Sequence, residues 1–311
     1  MPPFWRALDI TDMSYDLFFK PRHGSFTAED FTRYFCDRPN YKCEGSQAWY
    51  GNDDTGVYFV FEQQTEREPD LEHESEHDDE VSEYFPVALN INYLRPSYFI
   101  FEAEPEVTAF VAHFDLLVSD PQMDGMGEGE YNAEKLLSGW NCGNEFGYTA
   151  ILKDENSRSG ISHLPTEQLH KAWRWNYARS QLQEQIGESK FVPRIMFMNL
   201  GGSTVTAAVW PDGIPVVVTP VDYLCVPRKE LAPTKFFRKK EDTTFVTWDA
   251  ALPILVKHGI KNEDGSISLN YMTPPTEVAK FVKALPIEGR VVAGLAADRV
   301  LDREIYERST S

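Results

Sequence analysis

Between Glu66 and Glu83 the sequence reads EREPDLEHESEHDDEVSE, ten carboxylates with a single arginine and almost no apolar side chain. Like charges at this density repel one another and hold their hydration, so the run cannot enter a core. Whatever the chain folds into must accept an interruption here, and the expectation is a solvated acidic loop over 64–84. The tract supplies nine of the nineteen units of formal negative charge.

On either side of it the chain has what a core needs. Of 311 residues 42% are hydrophobic and 13% aromatic, enough for two domains of ordinary size. Ser14 to Lys20 (SYDLFFK) reads as a strand, and Thr27 with Asp30 forms a capping box ahead of a helix bearing Phe31, Tyr34 and Phe35. Gln47 to Tyr50 and Val57 to Glu62 flank the turn GNDDTG as a hairpin, and Phe85 to Leu94 alternates like a half-buried strand. The tract would then join two neighbouring strands. Phe99 to Glu102 is a further candidate strand, Pro105 opens a helix through Phe114, and Leu116 to Val118 closes the module.

The resulting expectation is an α+β protein of two domains, each an antiparallel or mixed sheet packed with helices. Residues 1–121 form the first, 122–133 a Gly- and acid-rich connection, and 134–311 the second. The second contains a helix over Asn132 to Trp140, and a long helix 166–186 whose many aromatics suggest burial on more than one side. A β-meander follows, with turns at Gly201-Gly202 and Pro211-Asp212-Gly213, and then helices over Trp248 to His258 and Thr276 to Leu285.

Candidate chemistry is sparse. His73 and His77, four apart among acids, could bind zinc or nickel on a helix, but HExxH is absent and a solvated loop is the plainer reading. Asp120, Asp124, Glu128 and Glu130 around three glycines look superficially like a calcium loop without its spacing; a hinge fits better. His113 and Asp115 could be drawn as acid and base, yet a helix-end histidine explains the first. The basic run Arg228 to Lys240 (RKELAPTKFFRKK) interleaves two phenylalanines, as single-strand binders do, but on a protein with pI near 4.8 a solvated loop or an internal counterpart to the tract fits better. No catalytic residue, metal site or cofactor is expected. Cys36, Cys43, Cys142 and Cys225 read as reduced thiols, Cys36 and Cys43 being the one plausible local pair.

Five stretches resemble a known group: SYDLFFK (Ser14 to Lys20), NDDTGVYFVFE (Asn52 to Glu62), DPQMDGMGEGEY (Asp120 to Tyr131), SGWNCGNEFGY (Ser138 to Tyr148) and WRWN (Trp173 to Asn176). Through them the chain resembles the immunity proteins of type VI secretion systems. The resemblance implies binding to a cognate effector toxin, of nuclease-like type, and no catalytic residues. The residues themselves agree. A field this acidic suits a more basic protein partner and disfavours nucleic acid and anionic membrane as ligands. Glu72, Glu74, Glu76, Asp78, Asp79 and Glu80 are the candidate partner-binding residues. With neither a signal-peptide pattern nor a spanning segment, a cytoplasmic location is expected. A metal-assisted hydrolase using His73 and His77, and a self-associating scaffold or homo-oligomer, are the alternatives.

Overall fold

The computed structural model describes residues 13–64, 84–122, 125–232 and 241–310, together with the backbone of 234–235 and 238–239. The chain divides into two compact units. Unit 1 holds residues 1–161 and 301–311, and unit 2 holds Ser162–Val300. The fold is α+β, as the sequence indicates, but the division falls elsewhere than 122–133.

Unit 1 begins with β1 (Ser14–Pro21), α1 (Ala28–Phe35), β2 (Tyr41–Glu44), β3 (Gln47–Asn52), β4 (Val57–Gln63) and β5 (Val87–Asn92). It continues with α2 (Phe99–Phe114), β6 (Leu116–Asp120), β7 (Gly127–Gly129) and α3 (Ala133–Ile151). The seven strands make one antiparallel sheet in the order β2-β3-β4-β5-β1-β6-β7. Period-two alternation sends Tyr15, Leu17 and Phe19 of β1 to one buried face of the sheet. There Phe35, Phe61 and Phe110 form a ring cluster with centroids 4.7–5.2 Å apart, and Phe19 packs edge-on to Phe110 at 5.3 Å. Each buried phenylalanine contributes roughly 1.5–3 kcal/mol, so this cluster holds the helical layer on the sheet. The expected capping box forms: the Thr27 side chain accepts from the Asp30 N–H while Asp30 accepts from the Thr27 N–H.

Three expectations in this unit change. Phe99 to Glu102 is not a strand but the first turn of α2, which carries Pro105 inside it rather than at its start. Buried Phe99, Ile100, Ala103, Val107 and Phe110 supply the helical stripe that outweighs the backbone hydrogen bond a mid-helix proline removes. The segment Asp120 to Tyr131 does not connect domains. It turns back so that β7 pairs with β6, pinned by the buried Asp120 carboxylate, which accepts from the Tyr15 hydroxyl and the N–H groups of Gln122 and Met126. Cys36 and Cys43, expected as thiols, are joined by a disulfide tying the end of α1 to β2, with Cα atoms 5.5 Å apart.

Unit 2 runs β8 (Ser162–Leu164), α4 (Thr166–Ile186), β9 (Ile195–Leu200), β10 (Ser203–Val209), β11 (Val217–Val218), β12 (Tyr223–Arg228), β13 (Thr234–Lys235) and β14 (Arg238–Lys239). Then follow β15 (Asp242–Thr247), α5 (Trp248–His258), β16 (Gly259–Lys261), β17 (Ile267–Leu269), α6 (Thr276–Ala284) and β18 (Val292–Leu295). A mixed five-stranded sheet has the order β15-β12-β10-β9-β18, with β10 and β12 parallel. The β9–β10 hairpin forms around Gly201-Gly202 as predicted. The meander does not continue. After Pro211–Gly213 the chain leaves for a separate sheet, where β11 pairs with β17. Asp212 adopts φ 45° there, and its carboxylate accepts the N–H groups of Lys229, Glu230 and Leu231, fixing the exit. The helix α4 keeps its predicted bounds but buries one stripe only, Leu169, Ala172 and Asn176, leaving Tyr177 49% exposed.

The chain returns through β19 (Val300–Asp302) to α7 (Arg303–Thr310), which packs on α3 within unit 1. Buried Asp302 accepts from the Ser97 N–H and hydroxyl, both at 2.7 Å, and from the Tyr148 hydroxyl at 3.3 Å. This tie is why the last residues belong with the first unit.

Candidate functional site

The tract is inserted where the sequence places it, between two paired strands. β4 and β5 are antiparallel neighbours, and at the hairpin base Gln64 donates its N–H to the Pro86 carbonyl at 2.9 Å while the Tyr84 hydroxyl donates to the Gln64 carbonyl at 2.7 Å. Glu72, Glu74, Glu76, Asp78, Asp79 and Glu80, and the histidines 73 and 77, lie outside the described residues. Among the described residues no group of three or more His, Cys, Asp or Glu is placed to hold a metal ion, and no helix is long and apolar enough to cross a membrane.

Division into units reveals how charge is distributed. Unit 1 holds 35 of the 49 acidic residues and 13 of the 30 basic ones, a formal −22; unit 2 holds the other 14 and 17, a formal +3. The whole net negative charge therefore belongs to the unit that carries the tract.

The remaining sequence candidates disperse. Asp115 pairs with Arg22 at 3.2 Å, while His113 packs at a tilt against Tyr34 with a centroid distance of 5.0 Å, so the two do not act on a common point. Glu128 pairs with Lys20 and Glu130 with Arg22, which accounts for two of the four acids of the calcium-like loop, and Asp120 is satisfied internally. Arg228, first of the basic run, is buried rather than displayed, donating two bonds to Asp242 at 2.7 and 2.8 Å and two more to the Val282 and Leu285 carbonyls.

One cluster was hidden from sequence reasoning. Glu102 and Glu106, four apart on α2, face the same way. Buried Glu102 accepts from the Tyr50 hydroxyl at 2.7 Å and the Asn52 amide at 2.6 Å. Glu106 accepts from Arg38 at 2.7 Å and the Tyr41 hydroxyl at 3.1 Å. Burial first, and then the neighbouring carboxylates, push both tyrosine hydroxyls well above the usual phenol range, so they remain donors. Reading 99–102 as a strand concealed the spacing; a helix over the whole of 99–114 would have exposed it. With two donors converging on one oxygen of each carboxylate, the cluster serves to lock β2 and β3 against α2.

Beside it lies a cleft of about 340 Å³ lined by Asp30, Arg33, Tyr34, Arg38, His113 and Phe114. Its two arginines are already engaged, Arg33 with Asp30 at 2.9 Å and Arg38 with Glu106, and Arg38 lies 4.8 Å over the Tyr34 ring. In unit 2 a second cleft of about 350 Å³ contains Gln168, Thr206 and Asp222, but these three satisfy one another at 2.7–3.1 Å. The opposite face of the large sheet is more open. Trp49 is 42% exposed there and donates its indole N–H to Gln47, which in turn donates to Glu62. This arrangement offers a polar, aromatic face next to the β4–β5 hairpin. No protein-family model, no curated protein and no solved structure matches the chain.

Proposed function

We propose that the protein is a non-catalytic inhibitor that binds a more basic protein, a toxin whose nuclease-like action relies on a cationic groove, and that unit 1 makes the capture. The supporting observation is the charge partition: a formal −22 concentrated in one unit, with its densest run inserted between two strands of a seven-stranded sheet. A field of one sign raises the local concentration of an oppositely charged partner and speeds encounter by one to three orders of magnitude, while aromatic groups such as Trp49 supply short-range contact. In this reading Glu72, Glu74, Glu76, Asp78, Asp79 and Glu80 steer, and the sheet face grips. The resemblance to type VI immunity proteins points the same way, with neutralisation in the cytoplasm of the producing cell. One observation favours a second compartment: a disulfide such as Cys36–Cys43 persists in oxidising surroundings, so neutralisation in the periplasm is the competing placement.

The test is stopped-flow association with a basic, nuclease-like candidate effector at two salt concentrations. Changing the six named carboxylates of the tract to their amides should slow association roughly 10-fold at low salt and flatten the salt dependence. An unchanged on-rate and salt slope would remove the tract from the encounter.

A further inference from the structure

The two large sheets expose four edges, and three are guarded in ways natural proteins use against edge pairing. β2 is short and shows exposed Lys42 and Glu44. β7 is three residues long and carries Glu128, ion-paired to Lys20. β15 has its central residues Thr244, Phe245 and Val246 buried. The edge β18 is as short as β2, four residues, but carries neither a charge nor buried central residues. Val291 to Ala297 (VVAGLAA) contains no charge and no proline, and Val292, Ala293 and Gly294 are exposed, with Val291 80% accessible. A methyl group built on Gly294 would meet no atom within 4 Å.

The direction of the free hydrogen-bonding groups follows from the register. The Gly201 N–H donates to the Val291 carbonyl at 2.9 Å, so Val291 turns toward β9. Because both main-chain groups of a strand residue point the same way and alternate along the strand, Ala293 and Leu295 also face β9. Val292 and Gly294 then direct their N–H and C=O groups to the open edge.

We propose that β18 is a self-association edge, pairing antiparallel with β18 of a second copy of this chain about a two-fold axis at Ala293. In that register Val292 lies opposite Gly294 of the other copy, and the reverse, so four main-chain hydrogen bonds form with a glycine wherever a valine side chain needs room. An isologous contact of this kind closes at the dimer. A second copy is the occupant the charge distribution favours. Unit 2 carries only +3, and around the edge two acids, Glu288 and Asp298, are balanced by two bases, Arg290 and Arg299, with Glu288 and Arg290 paired at 2.8 Å. The edge therefore offers a basic protein nothing to be drawn to, while two copies of net −19 repel one another less as salt screens their charge. This association should tighten as salt rises, the opposite sign to capture of a basic partner.

Sedimentation velocity of the full chain, run to about 100 µM at two salt concentrations, should show monomer converting to dimer, more so at the higher salt. Hydrogen exchange should show the 292 and 294 amides gaining protection with concentration. Val292→Pro removes an outward N–H without touching the ladder to β9 and is compatible with an edge strand; it should weaken the dimer at least 10-fold with an unchanged circular dichroism spectrum. Val292→Lys, which brings a charge to the edge, serves if the proline variant does not fold. A chain that stays monomeric over this range, a folded edge variant that dimerises as well as the parent, or protection gained elsewhere and not at 292 and 294 would overturn the proposal.

Discussion

Replacing Arg228 by alanine should unfold unit 2 under markedly milder conditions. The guanidinium is fully buried and makes four bonds: Nε and Nη2 to the two Asp242 oxygens at 2.8 and 2.7 Å, and Nη1 to the carbonyls of Val282 and Leu285 at 3.0 and 2.8 Å. Those carbonyls close the C-terminal end of α6, so one side chain ties β12 to β15 and to a helix end. Truncation strands a largely buried carboxylate and the Leu285 carbonyl, while the Val282 carbonyl keeps the Leu285 N–H at 3.3 Å. Removing one partner of a buried pair costs about 3–5 kcal/mol, and the stranded Leu285 carbonyl adds about 1–3 before water entry offsets part of it. A loss of about 4 kcal/mol is expected, or a fall in melting temperature of roughly 8–16 °C for a unit of this size. Urea titration followed by tryptophan fluorescence gives the total, and hydrogen exchange assigns it to unit 2. The double variant Arg228→Met with Asp242→Leu should recover about half the loss, because the stranded charge is gone while the Leu285 carbonyl has lost its guanidinium donor. A loss below about 1 kcal/mol for the single alanine variant would refute the account.

Gly143 lies where an added methyl would come within 2.1 Å of the Tyr93 hydroxyl and 2.3 Å of its ring, while Gly147 leaves only 3.1 Å to the Tyr93 Cβ at the other end. Gly143→Ala should therefore cost about 1–3 kcal/mol in urea denaturation, since the ring cannot swing aside. The Glu288 carboxyl is held down to about 2 by hydrogen bonds from Arg290, so its contribution is fully present above the ordinary carboxylate range and is lost as pH falls through about 2. Comparing the parent with Glu288→Gln by thermal melts should show a deficit of about 1 kcal/mol near pH 6, discounted because Arg290 is well exposed, that vanishes in strong acid. Thiol alkylation without reductant should label exposed Cys142 in the folded protein and Cys225 only on unfolding, since burial pushes the Cys225 thiol up to about 11; Cys36 and Cys43 should react only after reduction. Four reactive thiols in freshly isolated protein unfolded without reductant would place it in a reducing compartment.

Local rules carried far in this chain. The Thr27 box, the bounds of α4, the Gly201-Gly202 hairpin and the insertion of the tract between β4 and β5 all depend on a few neighbouring residues, and all were legible. Readings failed where a distant partner decided the outcome. Pro105 looked like a helix start, yet it sits inside α2 because residues on both sides share one buried stripe. The turn at Asp212 looked like a hairpin, yet its carboxylate is claimed by N–H groups 17 to 19 positions away, and the chain crosses to another sheet. Arg228 looked like part of a basic surface until Asp242 and α6 enclosed it. The Glu102–Glu106 cluster is not legible in the sequence because its donors come from β2, β3 and the turn before β2, some 50 to 70 positions away.

The sequence by itself determined that the protein is α+β, that one stretch cannot enter a core, and that its charge is strongly negative. These follow from composition and short-range periodicity, which need no knowledge of what lies across the fold. Only the tertiary structure decided where the units divide, because the last residues return to unit 1 through Asp302, Ser97 and Tyr148. That boundary turns a net −19 into −22 beside +3, and with it sets which unit a basic partner would meet. It also exposes an uncharged strand edge that alternation alone could not distinguish from a buried one, since a strand's own pattern does not say whether a neighbour lies beside it.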